Sequence, residues 1–377
     1  MKYWRGYLVA AIIAACTWGL VEFAQSHWLL VDMVYPYVTR LSQNFLAEWS
    51  SSLNFCLWQL ILTVMCSVGL ASIVMMVIWK WNPIQWFGWI AAAVSIVIFL
   101  NTAIFGLNNY AGPLADDLRL EVTDYTVSEL EEAGAYYLQQ ANSLANEISR
   151  NSSGEPQFPA FQDLAVLASA GFENQTYERF NSIFAGSTLP VKELGWSGLM
   201  SSRGITGVTV GITGEAAVNP DTPTVALPFV ICRQMAQRMC ITNLQDSTFA
   251  AFMACEANPT VEFRYSGYLM AYNHCLQSLN SMDTGIAQAS AAKLKGMQNA
   301  NVTRDLDNYN ASFAANDGME PPQQEENPDL PVRSSVSDLL VSWYIQEYVL
   351  PTQAEEEVLF DPMDESQVDL SGIANAP

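Results

Sequence analysis

The sequence predicts a membrane protein in which three amino-terminal transmembrane helices carry a mostly α-helical (α+β) extracytoplasmic domain with a small sheet. Three observations lead there. Three apolar runs, Tyr7 to Phe23, Phe55 to Trp79 and Trp86 to Leu107, are each long enough to cross a hydrocarbon core of about 30 Å as a helix. Beyond them the hydrophobic residues recur mainly at helical spacing, and only Gly204 to Val218 alternates in the manner of a strand. The chain's net charge of −22 is also unevenly placed, since residues up to Tyr110 carry four basic side chains (Lys2, Arg5, Arg40, Lys80) against three acidic ones (Glu22, Asp32, Glu48).

The first run follows Lys2 and Arg5. The second contains no charged residue, and a Lys80-Trp81-Asn82-Pro83 turn joins it to the third. Trp4, Trp28, Trp79, Trp81, Trp86 and Trp89 crowd the ends of the runs, as aromatics do at membrane interfaces. Basic residues at the amino terminus and at Lys80 place both on the cytoplasmic side, so three crossings put everything after Leu107 outside the cell. A cleaved signal peptide fits the first run poorly, because no good cleavage site precedes the polar loop. Ile13-Ala14-Ala15-Cys16 has the look of a lipoprotein processing site, but the residues after Cys16 stay apolar.

Residues 1–110 thus form the membrane region, 111–350 the external domain, and 351–377 an acidic tail expected to be disordered. Within the domain, Thr126 to Arg150 reads as a helix capped by Thr126 or Ser128. Asn151 to Pro159 is a polar linker, and Phe161 to Phe184 holds one or two further helices. Val208, Val210 and Ile212 alternate as a strand, and glycines around them permit tight turns or close backbone approach. Leu227 to Phe252 reads as a buried helix, a short turn and a second helix from near Asp246. Arg264 to Leu279 is another apolar-faced helix, Glu320 to Pro331 is polar and proline-rich, and Val336 to Tyr348 is the last helix.

The acidic balance excludes nucleic acid, whose phosphates require Lys and Arg, and argues against docking of the domain on anionic lipid. Cys16, Cys56 and Cys66 lie in apolar runs. Cys232, Cys240, Cys255 and Cys275 permit one or two disulfides between helices, such as Cys240 with Cys255 or Cys232 with Cys275. No Cys-x-x-Cys spacing marks a zinc site. The chain has two histidines, His27 and His274, so a Ser- or Cys-based triad has little to draw on.

The chain contains the words Leu107-Asn108-Asn109-Tyr110 with Pro113-Leu114, Lys192 to Met200, Thr213-Gly214-Glu215-Ala216 with Asn219, Leu227-Pro228-Phe229, Phe249 to Phe252, Arg264-Tyr265-Ser266-Gly267-Tyr268 and Arg304-Asp305. In these it resembles a bacterial membrane family known as domain of unknown function 3810. The resemblance implies three amino-terminal spans before an extracellular zincin-like domain, with a strand beside a His-Glu-x-x-His helix. It implies that Arg233 stands at the first zinc ligand, Gln234 at the general base, Gln237 at the second ligand and Asp246 at the third. Arg has no lone pair to give a metal, and Gln cannot take a proton from metal-bound water. No metal and no cofactor are therefore expected, and an Arg233–Asp246 ion pair in the former metal position is expected instead. The former substrate cleft, with Val208, Val210, Thr213, Gly214 and Glu215 as candidate lining, is expected to hold a peptide or protein partner without catalysis. Two other readings stand beside this one. The first is a hydrolase with a rebuilt metal or cysteine site from Asp246, Glu215, Cys232 or His274. The second is a purely structural membrane protein, recognisable by side chains filling the cleft beside residues 208–218.

Overall fold

The computed structural model describes residues 4–178, 183–314 and 333–351. The proline-rich stretch 320–331 and all of the tail beyond residue 351 lie outside the described residues. Helices α1 (Arg5–Ser26), α3 (Leu57–Ile78) and α4 (Pro83–Ile104) are each long and apolar enough to cross a membrane. Asn82 caps α4 by accepting from the Ile84 and Gln85 backbone N–H groups, and Pro83 follows at its first position, where a missing N–H costs nothing. A Cβ on Gly6 would overlap the Gly88 backbone, so α1 and α4 pack through glycines near their starts and run in the same direction.

Between α1 and α3 the sequence predicts only a polar external loop. The structure places there a helix of 24 residues, α2 (Trp28–Ser51). Its periodicity was hidden because polar residues on one face (Asp32, Thr39, Arg40, Gln43) lower the local hydropathy below that of a span.

The domain is mainly helical. After α5 (Leu114–Leu118), the capping box of Thr126 and Glu129 starts α6 (Val127–Leu144), which packs along α12 (Val261–Ser281). The expected region 161–184 contains α7 (Phe161–Leu167) and α8 (Ser169–Glu178), and α9 (Ser197–Ser201) is a single turn. The central pair is α10 (Leu227–Arg238) and α11 (Leu244–Ala257), with Asn243 capping the latter. Two helices that the sequence reading did not assign follow, α13 (Gly285–Gly296) and α14 (Ala300–Ala314), before α15 (Val336–Tyr344) closes the core. Tyr137, Phe249, Phe252, Tyr265, Leu269 and Tyr272 are among the fully buried side chains at the centre.

The sheet has three strands in the order β1 (Lys192–Glu193), β3 (Glu215–Val218), β2 (Gly207–Val210). The single strand expected over 208–212 is a hairpin, because Thr213 turns back on Val210 and Gly214 takes φ +65° against Leu46 and Ala47 of α2. Side chains alternate across the sheet. Ala216 and Val218 join the main core, while Val208 and Ala217 pack with Cys56 and Leu194 at the start of α3. The sheet is therefore a plate between the domain core and a membrane helix.

Candidate functional site

Arg233, Gln234 and Gln237, three of the four residues that the resemblance sets against a zinc site, lie on α10 beside β2. Pro228 opens this helix, and Ser266 Oγ on α12 accepts the Phe229 N–H at 3.2 Å, supplying the cap that Ala226 cannot. Arg233 donates to Thr206 Oγ1 at 2.8 Å, just ahead of β2. Gln234 is held by Thr209, whose hydroxyl donates to its Oε1 at 2.9 Å, and Gln237 reaches Ser247 Oγ at 3.4 Å on α11. Burial pushes the Arg233 guanidinium below the ordinary arginine range. His274 is lowered to about 4, first by burial and then by the charge of Arg233, so it is neutral at pH 7.

The expected Arg233–Asp246 ion pair is not formed. Asp246 sits on the first turn of α11 and its carboxylate is paired with Arg333, which also donates to the Ala111 carbonyl. Arg333 lies 87 residues further along the chain, a separation that a reading by helix spacing does not reach. Burial raises the Asp246 carboxyl, and the Arg333 charge opposes the rise.

Asp246 and Arg333 line a small cleft with Asp32 and Arg40 of α2, Asp117 at the end of α5, and Asn243. Its interior volume is ≈ 50 Å³, room for a few waters or one small ion. Desolvation, then the Asp32 charge, pushes the Asp117 carboxyl up to about 6. The sequence reading missed this cleft, because its lining comes from five separated stretches.

Of the candidate cleft residues of the hairpin, Val210 is half-buried opposite Glu215 and its carbonyl accepts the Thr213 N–H. Glu215 is completely buried and does not line a cleft. Its two oxygens accept the Leu57 and Trp58 backbone N–H groups at 2.8 and 2.9 Å, the first turn of α3, and Lys192 Nζ donates to it at 2.7 Å. Lys192 also donates to the carbonyls of Ser50 and Phe55, and Gln59 makes a reciprocal pair with the Gly195 backbone. A carboxylate at a helix N-terminus satisfies orphan donors and the helix dipole together. Thr213 is buried, Gly214 packs against Leu46 and Ala47 of α2, and Val208 packs against the cluster of Cys56, Leu194 and Ala217.

Among the described strands β2 lies at an edge of the sheet. Asn219 N donates to Thr206 O and Leu194 N to Val218 O, and this phase points the backbone groups of Gly207 and Thr209 away from β3. All four β2 residues are half-buried, whereas β3 is buried throughout.

The residues proposed for a rebuilt site do not converge. Glu215 clamps α3, Asp246 lies in the mixed-charge cleft, His274 is beside Arg233, and Cys232 is buried next to Cys255. Among the described residues no three His, Cys, Asp or Glu side chains are grouped to hold a metal. All seven cysteines are free thiols, so neither suggested disulfide forms, and the neighbour of Cys255 is Cys232 rather than Cys240.

Two of the sequence words that carried the resemblance prove to be packing devices. Tyr265 donates to Asp305, and Arg150 meets the same carboxylate through both terminal nitrogens at 3.0 and 2.7 Å. Tyr268, Tyr348 and Trp343 all donate to Glu256, which ties α15 and the turn after it to α11 and α12.

No curated protein and no solved structure matches the chain. A family model described as "Protein of unknown function (DUF3810)" matches residues 31–327, from within α2 to beyond α14, and the chain belongs to that family.

Proposed function

We propose that this protein is a membrane-anchored, catalytically inactive binding or regulatory protein, derived from a zincin-like peptidase and displayed on the outer face of a bacterial plasma membrane. The observation that carries the reading is the chemistry at the four former site positions. Arg233 is cationic and bonded to Thr206, Gln234 is a neutral amide bonded to Thr209, Gln237 reaches Ser247, and Asp246 is committed to Arg333. Such a set offers neither two nitrogen ligands nor a base for metal-bound water.

The partner that fits best is an extended peptide segment. The free edge of β2 presents the Gly207 and Thr209 backbone groups beside α10, the arrangement used for strand addition. The outward location rests on Lys2, Arg5 and Lys80 at one membrane face. The parallel packing of α1 and α4 is consistent with those ends sharing a side.

The test uses the full chain in nanodiscs after equilibration with zinc and dialysis, with reduced, carboxymethylated casein as the probe. Expected are substoichiometric zinc and casein that is retained but uncleaved, with retention lost in Thr209→Pro, which removes a donor from the free edge. One zinc per chain with chelator-sensitive cleavage overturns the reading. A second experiment tests the ancestry: the triple variant R233H/Q234E/Q237H is expected to gain zinc, and no gain over the parent removes the zincin argument. The burial of Glu215 against α3 favours a purely structural role as the second reading, and absence of casein retention with no zinc selects it.

A further inference from the structure

Helix α2 is amphipathic in the inverse sense to a helix of a soluble surface. Every exposed residue from Leu29 to Phe45 is apolar or aromatic, the stripe including Leu30, Met33, Val34, Tyr37, Leu41 and Phe45. Four polar side chains point into the protein, whereas Glu48, at the helix end, is exposed. Asp32 accepts the Gly112 N–H at 2.7 Å, Thr39 donates to Asn108 Oδ1 at 3.1 Å, Arg40 donates to the Met239 carbonyl at 3.3 Å, and Gln43 donates to the Gly211 carbonyl at 2.9 Å. The chain has thus used the polar face of α2 to hold the domain and left the apolar face outward.

From these contacts we infer that α2 lies in the plane of the membrane interface, with its outer face in lipid, and seats the domain flat on the bilayer. Connectivity supports the lipid as occupant. α2 joins the end of α1 to the start of α3, and three spans in succession put those two ends, and the end of α4, on one membrane face. A helix of 24 residues, about 36 Å long, that begins and ends at that level runs along it. The aromatic fringe continues beside it: Trp49 is exposed at the end of α2, and Trp196, also exposed, packs edge-on against Trp58 at the mouth of α3. The helix carries Asp32, Arg40 and Glu48 and no basic cluster, so the attachment is apolar and needs no anionic lipid. The mixed-charge cleft, lined by Asp32, Pro36 and Arg40 of this same helix, consequently lies directly above the headgroup layer.

The experiment places the full chain in phosphatidylcholine vesicles with a benzophenone amino acid at position 33 or 41. Val77 in α3 serves as the lipid reference and Ile286 on the domain as the water reference, both well exposed. Lipid adducts at 33 and 41 are expected to match position 77 and to exceed position 286 by about tenfold, as acyl-chain contact requires. A second measurement needs no variant. Met33 is 73% exposed in the isolated chain against 47% for Met297. In vesicles a water-soluble oxidant is nevertheless expected to convert Met33 about tenfold more slowly. Adduct yields at 33 and 41 equal to that at 286, faster oxidation of Met33 than Met297, or covalent dimers in place of lipid adducts each overturn the inference, the last by assigning the face to a second copy.

Discussion

Replacing Glu215 by Ala removes the carboxylate through which the sheet holds the first turn of a membrane helix. The Leu57 and Trp58 N–H groups lose their partner at a site where water does not reach the carboxylate. Each orphaned donor costs about 1–3 kcal/mol. Lys192 keeps the Ser50 and Phe55 carbonyls but loses its counter-charge. Breaking a buried pair from one side costs about 3–5 kcal/mol, and because the three losses share one carboxylate that range describes the whole. For a domain of this size it corresponds to a fall in Tm of about 6–20 °C. The assay is thermal unfolding of the full chain in detergent, with Glu173→Ala as an exposed control. A local readout accompanies it: Cys56, buried with its thiol donating to the Glu193 carbonyl, should alkylate faster once the clamp opens, as peptide mapping would show. Glu215→Gln keeps one acceptor but turns an amide N–H₂ toward a backbone donor or Lys192, so it should fall between the two. If Glu215→Ala melts within about 2 °C of the control, a shift of under about 1 kcal/mol, and Cys56 stays protected, the clamp contributes nothing and the reasoning fails.

Asp246→Ala should destabilise by about 3–5 kcal/mol through the stranded Arg333, against almost nothing for the exposed Asp163→Ala, measured by urea unfolding of the full chain. Tyr265→Phe should cost about 1.5–3 kcal/mol in the same assay, because Asp305 keeps Arg150 but loses a charge-assisted bond. Asp117 binds its proton more tightly in the folded chain, up to about pH 6. The resulting stability is present below the unfolded carboxyl range and fades as pH rises through about 6; since the side chain is exposed at the cleft rim, the effect is about 1 kcal/mol at most. Asp117→Asn should flatten the stability profile between about pH 4 and 6, and an unchanged profile would place the titration elsewhere.

Sequence alone determined the elements whose signals are local. The apolar runs of α1, α3 and α4 and a helix capped near Thr126 were legible because length, spacing and capping chemistry act over a few residues; the structure adds that Glu129 completes the cap and that α4 starts at Pro83. Side-chain identity likewise expresses, without reference to a partner, that Arg233 has no lone pair for a metal and that Gln234 and Gln237 are neutral amides. Helix α2 was missed because its polar residues, read along the chain, mark a loop; only the tertiary contacts reveal that they are the inner face and the apolar residues the outer one.

Tertiary structure decided the partners. Asp246 and Arg333, Glu215 and the N-terminus of α3, and Arg150 with Tyr265 and Asp305 are joined across 87, 158 and 155 residues respectively. A carboxylate on a predicted hairpin looks the same in sequence whether it lines a cleft or caps a distant helix. Which it does depends on the donors that the fold brings within hydrogen-bonding range, and for Glu215 those donors belong to a membrane helix.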